Sequence, residues 1–144
     1  MDKDQFLASL NDVYCRLDKT VNGVGVVAVR KIPKGVNPFK NCEPFGATLE
    51  IPATELEAAP VPESAKKIVR DFFCLENGLY FVSDYGVDAI DKSFFLNHSY
   101  TPNMETFDDW ETFLAAREIE EGEELTSDYR LYGQPTNFKN SGKQ

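Results

Sequence analysis

Short apolar runs separated by polar segments predict several short strands along this chain. Residues 24–29 are rich in β-branched side chains and follow the turn-forming pair Asn22 and Gly23, which predicts a strand there. Within residues 36–62, which hold five of the eight prolines, we expect irregular structure. The other strands are predicted over residues 47–51, 79–82, 94–96 and 113–116 and around Leu125.

Two segments have the residue spacing of an amphipathic helix. The first covers residues 4–12. The second begins near Pro62, because proline suits the first helical turn, and Asn77 and Gly78 are predicted to cap its end. The side chains that we expect to face the core are Phe6, Leu7 and Leu10 in the first helix and Ala65, Ile68, Val69 and Phe72 in the second.

Together these elements predict an α+β domain that is mainly β with short helices. A chain of 144 residues with 42% apolar residues has the size and composition of one globular domain. We assign residues 1–133 to this domain. The polar residues 134–144 are predicted to form a flexible C-terminal tail.

The chain is acidic, since 24 Asp and Glu residues against 15 Lys and Arg residues give a formal charge of −9. This balance disfavours direct binding of nucleic acid, which requires clustered cations against the phosphates. It suits a basic partner, such as a Lys/Arg-rich protein segment. Acidity also aids solubility, and composition alone favours that second interpretation.

Neither a metal site nor a membrane anchor is expected. The single histidine, His98, excludes a multi-histidine site, and Cys15, Cys42 and Cys74 contain no Cys-x-x-Cys pair. No apolar run is long enough to span a bilayer, and no signal peptide follows Met1. We therefore expect reduced thiols in a cytoplasmic or nuclear protein.

Three polar motifs are candidates for function. Residues 97–103 begin with Asn97 and His98 and follow an apolar run, residues 122–129 form an acidic segment that ends in Tyr129, and residues 23–28 begin with Gly-x-Gly. Each motif alone is equally typical of an ordinary structure, namely a loop, an acidic hairpin or a glycine-containing strand.

In this order and spacing, the three motifs resemble those of the SET-domain methyltransferases. That family opens with a Gly-x-Gly stretch and an Ile-x-x-Gly turn, as residues 23–28 and 32–35 do here. Its core signature, Phe-hydrophobic-Asn-His-Ser-Cys-x-Pro-Asn, matches residues 95–103 except at Tyr100. Its last signature, Gly-Glu-Glu-Leu-x-x-Asp-Tyr, matches residues 122–129 in full. The resemblance spans roughly residues 14–133 and indicates a minimal member, similar to small viral or bacterial ones.

The resemblance implies a β-clip fold, in which small sheets surround a knot-like crossing of the second and third motifs. It also implies that S-adenosylmethionine is the cofactor and that the activity is protein-lysine N-methylation. By this resemblance the cofactor-binding residues are Gly23, Val24, Gly25, Asn97, His98 and Tyr129, and Tyr129 is also the catalytic residue.

The implied substrate is a lysine in a basic protein segment, such as a histone tail. Residues 105–111 and 118–124 are acidic and lie beside the motifs, and we expect them to attract such a segment. Tyr132 or Phe138, in the short C-terminal segment, is a candidate aromatic contact to the cofactor.

One departure from the family leaves an alternative open. Family enzymes often carry a tyrosine shortly after the Ile-x-x-Gly turn, and residues 36–41 contain none. The alternative is a catalytically inactive SET-fold module that binds protein. A small amine as substrate is a third hypothesis.

Overall fold

The computed structural model describes residues 1–40, 42, 47–106 and 112–131. The tail predicted over residues 134–144 lies outside these ranges, as do the candidate cofactor contacts Tyr132 and Phe138. The helices are α1 (Lys3–Ser9), α2 (Ala53–Ala58) and α3 (Glu63–Phe72). The strands are β1 (Cys15–Thr20), β2 (Gly23–Ala28), β3 (Thr48–Pro52), β4 (Cys74–Glu76), β5 (Leu79–Ser83), β6 (Asn97–His98), β7 (Met104–Thr106), β8 (Phe113–Ala115) and β9 (Glu124–Ser127). Short 3₁₀ turns cover Leu10–Asp12, Val87–Ala89, Lys92–Phe95 and Tyr129–Leu131.

The strands form three small sheets, with the orders β1-β2-β9-β6, β3-β5-β4 and β7-β8. Neighbouring strands are antiparallel except β6 and β9, which pair in parallel. The prediction of a mainly β domain with short helices is therefore confirmed. Among the helices that the structure describes, none has both the length and the apolar character needed to cross a membrane.

The strand predictions are confirmed at β2, β3, β5, β8 and β9. The strand predicted over residues 94–96 is wrong, because Lys92–Phe95 forms a 3₁₀ turn. The reason is local: the Asp91 carboxylate accepts hydrogen bonds from the backbone N–H of Ser93 at 2.8 Å and from its hydroxyl at 2.6 Å. Such side-chain bonds to the next turn compete with extended structure.

Helix α1 forms as predicted, but its apolar face does not point inward. Phe6, Leu7 and Leu10 are 54%, 56% and 51% exposed. A capping box explains why the helix forms, since Asp2 and Gln5 exchange side-chain-to-backbone hydrogen bonds of 2.8 Å. Apolar periodicity defines a face of a helix and does not specify what covers it.

Helix α3 is also confirmed, but its predicted buried face is wrong in part. Val69 and Phe72 are half-buried, whereas Ala65 and Ile68 are exposed. The buried residue of this helix is Lys66, whose ammonium donates to the carbonyl of Glu57 in α2 at 2.6 Å. The sequence analysis missed α2, since the prolines on either side of it favoured irregular structure.

The pair Asn77 and Gly78 does not cap α3 as predicted. The helix ends at Phe72, β4 follows, and this pair forms the turn between β4 and β5. Both residues have positive φ angles, 54° and 77°. Asn-Gly is a usual sequence for a tight hairpin turn, and Asn77 lies five residues beyond Phe72, too far to cap the helix.

The core lies beneath the sheet that contains β2 and β9. Val26 and Leu125 face each other across these strands and are fully buried. Ile32 and Ile119 exchange two backbone hydrogen bonds of 2.8 and 2.9 Å in the same core. The three cysteines are free thiols, and burial raises the pKa of Cys15 to about 11.

Asn103 holds the start of β9 in place from the side. Its side-chain nitrogen donates to the carbonyl of Glu124 at 2.9 Å, and its side-chain oxygen accepts from the N–H of Thr126 at 2.9 Å. The residue is buried, so both backbone groups would otherwise lack water as a partner. Asn103, the last residue of the second motif, therefore stabilises the fold by fixing β9, the strand that carries the third motif.

We expect Asn103→Ala to destabilise the protein by about 2–4 kcal/mol, because it leaves two buried backbone groups without their partners. Urea unfolding measures the change. The matched control is Asn11→Ala, at an exposed asparagine, which should change the free energy of unfolding by less than about 0.5 kcal/mol. Equal effects of the two substitutions would contradict this role of Asn103.

Candidate functional site

The parallel pairing of β6 with β9 joins the second and third motifs. Asn97 is opposite Thr126, and His98 is opposite Ser127. The next residue continues the pairing, since the N–H of Ser99 donates to the carbonyl of Ser127 at 2.9 Å. Segments about thirty residues apart in the chain thus lie side by side, as the resemblance implied.

Strand β2 brings the first motif to the other edge of β9. Val26 and Val27 pair with Leu125 and Glu124. Toward the start of β2, the side chain of Asn97 reaches across instead, and its amide nitrogen donates to the carbonyl of Val24 at 3.2 Å. All three motifs therefore meet at one end of a single sheet.

Gly25 leaves room at this meeting point for the side chains of Asn97 and Glu124, which a side chain at position 25 would displace. A Cβ atom there would lie 2.5 Å from a carboxylate oxygen of Glu124 and 2.8 Å from the amide nitrogen of Asn97. Both distances are far below ordinary van der Waals contact. Gly23 and Val24, by contrast, are exposed, so their backbone lies on the surface beside this packed point.

His98 is 2% exposed and is surrounded by aromatic rings. Its ring centre lies 4.4 Å from that of Tyr100 and 5.3 Å from that of Tyr129. Its Nδ1 atom accepts a hydrogen bond from the backbone N–H of Tyr129 at 3.1 Å. Burial lowers the pKa of His98, so the imidazole is neutral near pH 7 and can keep this acceptor. His98 therefore fixes the backbone that carries Tyr129.

Tyr129 begins the 3₁₀ turn that follows β9 and Asp128, and its side chain points back to the second motif. Its hydroxyl donates a hydrogen bond to the carbonyl of Leu96. Burial raises the pKa of Tyr129 to about 12, and the neighbouring Cys74 and Glu124 act in the same direction. The phenol therefore stays protonated at neutral pH and cannot serve as a strong base.

The turn around Tyr129 is held by an ion pair. The guanidinium of Arg130 donates to the buried carboxylate of Asp128 at 2.9 Å, and this bond lowers the pKa of Asp128. The same guanidinium lies 4.4 Å from the ring centre of Tyr100. Tyr100, the one departure from the core signature, thus fills the space between His98 and Arg130.

Sequence analysis missed two residues that complete the site. The carboxylate of Glu124 accepts a hydrogen bond from the amide of Asn97 at 2.7 Å and another from the amide of Asn22 at 3.0 Å. Asn22 was interpreted only as a turn residue and Glu124 only as part of an acidic cluster. The sequence signal that could have found Glu124 is its place in the third motif, two residues before Thr126.

A cavity of about 1000 Å³ lies apart from these residues. None of the six predicted site residues lines it. Its walls contain Asp12, Asp88, Asp91 and Lys92 together with apolar and other residues, among them Leu17, Tyr85 and Phe95. Within the described ranges, no group of three or more His, Cys, Asp or Glu side chains is arranged to hold a metal ion.

The geometry and a comparison with known families agree. The sequence model of the SET domain matches residues 23–130, which is most of the chain and includes all three motifs. The chain therefore belongs to the SET-domain family, whose members are generally S-adenosylmethionine-dependent lysine methyltransferases. No curated protein matches the chain.

The lowered pKa of His98 predicts a pH dependence of stability. Since the native histidine takes up a proton only below the usual value of about 6.5, its contribution is complete above that pH. It is lost as the pH falls through the lower native pKa. We expect the urea midpoint to decrease between pH 7 and pH 5.5 in wild type and to change less in His98→Gln.

Proton NMR of the ring measures this pKa directly, because His98 is the only histidine. Asp128 does not change the stability between pH 7 and pH 5.5. Its pKa is lowered from 3.8, so the stabilisation that it provides is lost only at more acidic pH. Titration of His98 at or above about 6.5 would contradict the assignment of a buried, neutral imidazole.

Proposed function

We propose that this protein is an S-adenosylmethionine-dependent protein-lysine N-methyltransferase in which Tyr129 is the catalytic residue. The observation that carries the proposal is the convergence of β2, β6 and β9, which gathers Val24, Asn97 and Tyr129 at one end of a sheet. Membership of the SET-domain family supports it.

The polar atoms at this end of the sheet fit the proposed cofactor. S-adenosylmethionine carries a sulfonium and an ammonium, and both favour oxygen acceptors. The carbonyl of Val24, the side chain of Asn97 and the carboxylate of Glu124 supply such acceptors within hydrogen-bonding distance of one another. The exposed backbone of Gly23 and Val24 leaves an edge against which a ligand can lie. When bound, the cofactor would supply the methyl group.

The role of Tyr129 follows from its hydrogen bond and its protonation state. Its proton is donated to the carbonyl of Leu96, so its oxygen can accept a hydrogen bond from a substrate amine. A neutral phenol of this kind orients the amine and does not remove its proton. Transfer in such a site depends on positioning and on the electrostatic environment, with no strong general base.

The proposed substrate is a lysine in a basic protein segment. The charge of −9 supports this. Residues 107–111 of the first acidic segment lie outside the described ranges, whereas the second segment, residues 118–124, is described. Lys31 lies 3.5 Å from Glu118 and 3.9 Å from Glu120, and Arg117 lies 2.9 Å from Glu123. Three glutamates in and before this turn, Glu118, Glu120 and Glu123, thus each have a cation within ion-pair distance.

The aspartates of the cavity are the candidate that we favour for this attraction, because of where the cavity lies. Three aspartates and one lysine line it, and Phe95, another lining residue, directly precedes Leu96, the partner of Tyr129. Asp12 and Asp88 are both exposed, and Asp12 lies 3.7 Å from Lys40. A basic segment seated there would lie next to the residues that hold the catalytic hydroxyl.

The inactive binding module stays the alternative, and one observation favours it. Phe39 lies in the stretch where family enzymes often have a tyrosine, and it is buried in the core, edge-on to Phe113 with ring centres 6.3 Å apart. It supplies no hydroxyl to a lysine channel. Measurement of methyl transfer separates the two functions.

We expect Tyr129→Phe to lower kcat for methyl transfer by at least about tenfold, since one positioned hydrogen bond in the transition state contributes at least that much. Affinity for the cofactor should change less than about twofold. Labelled methyl transfer to a basic lysine peptide and calorimetric titration with S-adenosylmethionine measure the two quantities.

Asn97→Ala is the matched comparison, because it should weaken cofactor binding at least about tenfold by leaving polar partners unsatisfied. The two variants thus separate orientation of the amine from binding of the donor. Full activity in folded Tyr129→Phe would exclude Tyr129 as the catalytic residue. Cofactor binding without transfer in wild type would favour the inactive module.

Salt dependence tests the basic substrate. Raising the ionic strength should increase the apparent KM for a basic peptide at least about threefold, because exposed charges are screened within about 8 Å at physiological salt. Asp12→Asn/Asp88→Asn should flatten this dependence. Glu120→Gln/Glu121→Gln also removes two charges, and a flatter dependence in that variant instead would assign the attraction to the turn before β9. A flat response in wild type would contradict electrostatic attraction of the substrate.

A further inference from the structure

The carboxylate of Glu124 joins three separate segments of the chain. One of its oxygens accepts from Asn97 in β6 and the other accepts from Asn22 in the β1–β2 turn. Its own backbone carbonyl accepts from Asn103 at 2.9 Å. Asn22 and Glu124 are 102 residues apart in sequence, and Asn97 and Glu124 are 27 apart.

Only a group without a proton to donate satisfies both neighbours at once. The amide nitrogens of Asn97 and Asn22 are both donors, and an ionised carboxylate offers an acceptor oxygen to each. A glutamine in the same place would have one acceptor oxygen and one donor nitrogen. It would turn its nitrogen toward one of the two asparagine nitrogens and lose that hydrogen bond.

The contact of the Glu124 carboxylate with the Asn97 and Asn22 amides fixes the orientation of the Asn97 amide. The amide nitrogen donates to Glu124 at 2.7 Å and to the carbonyl of Val24 at 3.2 Å, which uses both of its N–H bonds. The polar atom of this side chain that can then meet a ligand is its carbonyl oxygen, an acceptor. An acceptor is what an ammonium group requires.

Gly25 leaves the room that this contact occupies. A Cβ at that position would be 2.5 Å from the Glu124 oxygen and 2.8 Å from the Asn97 nitrogen. A side chain at position 25 would therefore displace the side chain of Asn97, of Glu124 or of both.

We propose that Glu124 is a positioning residue for the cofactor, holding the amide of Asn97 so that its carbonyl oxygen faces the ammonium of S-adenosylmethionine. This inference rests on the proposed function. It gives the two adjacent glutamates of the third motif different roles, since Glu123 pairs with Arg117 at 2.9 Å. Glu123 is thus a matched control for Glu124 within the same motif.

The experiment compares Glu124→Gln with Glu123→Gln in the full chain. Titration calorimetry with S-adenosylmethionine should show affinity at least about tenfold weaker for Glu124→Gln and within about twofold of wild type for Glu123→Gln. Affinities that fall equally in the two variants would overturn the proposal, as would wild-type affinity in Glu124→Gln.

A rescue variant tests orientation rather than general damage. In Asn22→Asp/Glu124→Gln, the glutamine nitrogen can donate to the aspartate while the glutamine oxygen still accepts from Asn97, whose hydrogen bond to the carbonyl of Val24 is kept. This double variant should bind S-adenosylmethionine at least about threefold more tightly than Glu124→Gln. A double variant that binds no more tightly than Glu124→Gln overturns the proposal. If Glu124→Gln does not fold, the affinity of the double variant is compared with that of wild type, and an affinity at least about tenfold weaker overturns the proposal.

A measurement without ligand separates this inference from the proposed function. The side-chain amide protons of Asn97 in ¹⁵N-edited NMR spectra report their hydrogen bonds in the free protein. They should shift in Glu124→Gln and stay unchanged in Glu123→Gln. No binding of S-adenosylmethionine by wild type would overturn both the proposed function and the cofactor role, whereas unchanged Asn97 signals in Glu124→Gln would overturn only the positioning role.

Discussion

The parallel pairing of β6 with β9 is the contact on which the rest of the site depends. Strand β6 has only two residues, too few to be stable through its own ladder. Side chains complete the attachment. Asn103 bonds to the carbonyl of Glu124 and to the N–H of Thr126, on either side of Leu125, and His98 accepts from the N–H of Tyr129. Residues of the core signature therefore stabilise the fold and form the site at the same time.

Because the same residues stabilise the fold and form the site, their packing determines the chemistry that the site can perform. Packing His98 and Tyr129 against each other removes water from both, which keeps the imidazole neutral and the phenol protonated. Neither group can then act as a strong acid or base near pH 7. What the site offers is a set of fixed hydrogen-bonding atoms, which suits a reaction controlled by the alignment of two reactants.

The sequence predicted the elements whose signal is local and the segments that the family signatures mark. Strands β2 and β5 were predicted from their apolar runs, whereas their hairpin partners β1 and β4 were not predicted. The sequence could not specify what covers a helix: the apolar face of α1 is exposed, and α3 buries Lys66 against the carbonyl of Glu57. Long-range side-chain pairs were also missed, because Asn22 and Glu124 are 102 residues apart and neither residue type alone indicates the other.

The two glutamates before Leu125 show why charge has to be assigned by contact and not by composition. Successive residues of an extended segment point to opposite sides, so adjacent carboxylates have different surroundings. Glu123 meets Arg117 at the surface, and that bond lowers its pKa, whereas Glu124 meets two neutral amides. A net charge of −9 counts both glutamates equally. Only the contacts distinguish a carboxylate that balances a local cation from one that orders neutral donors around a site.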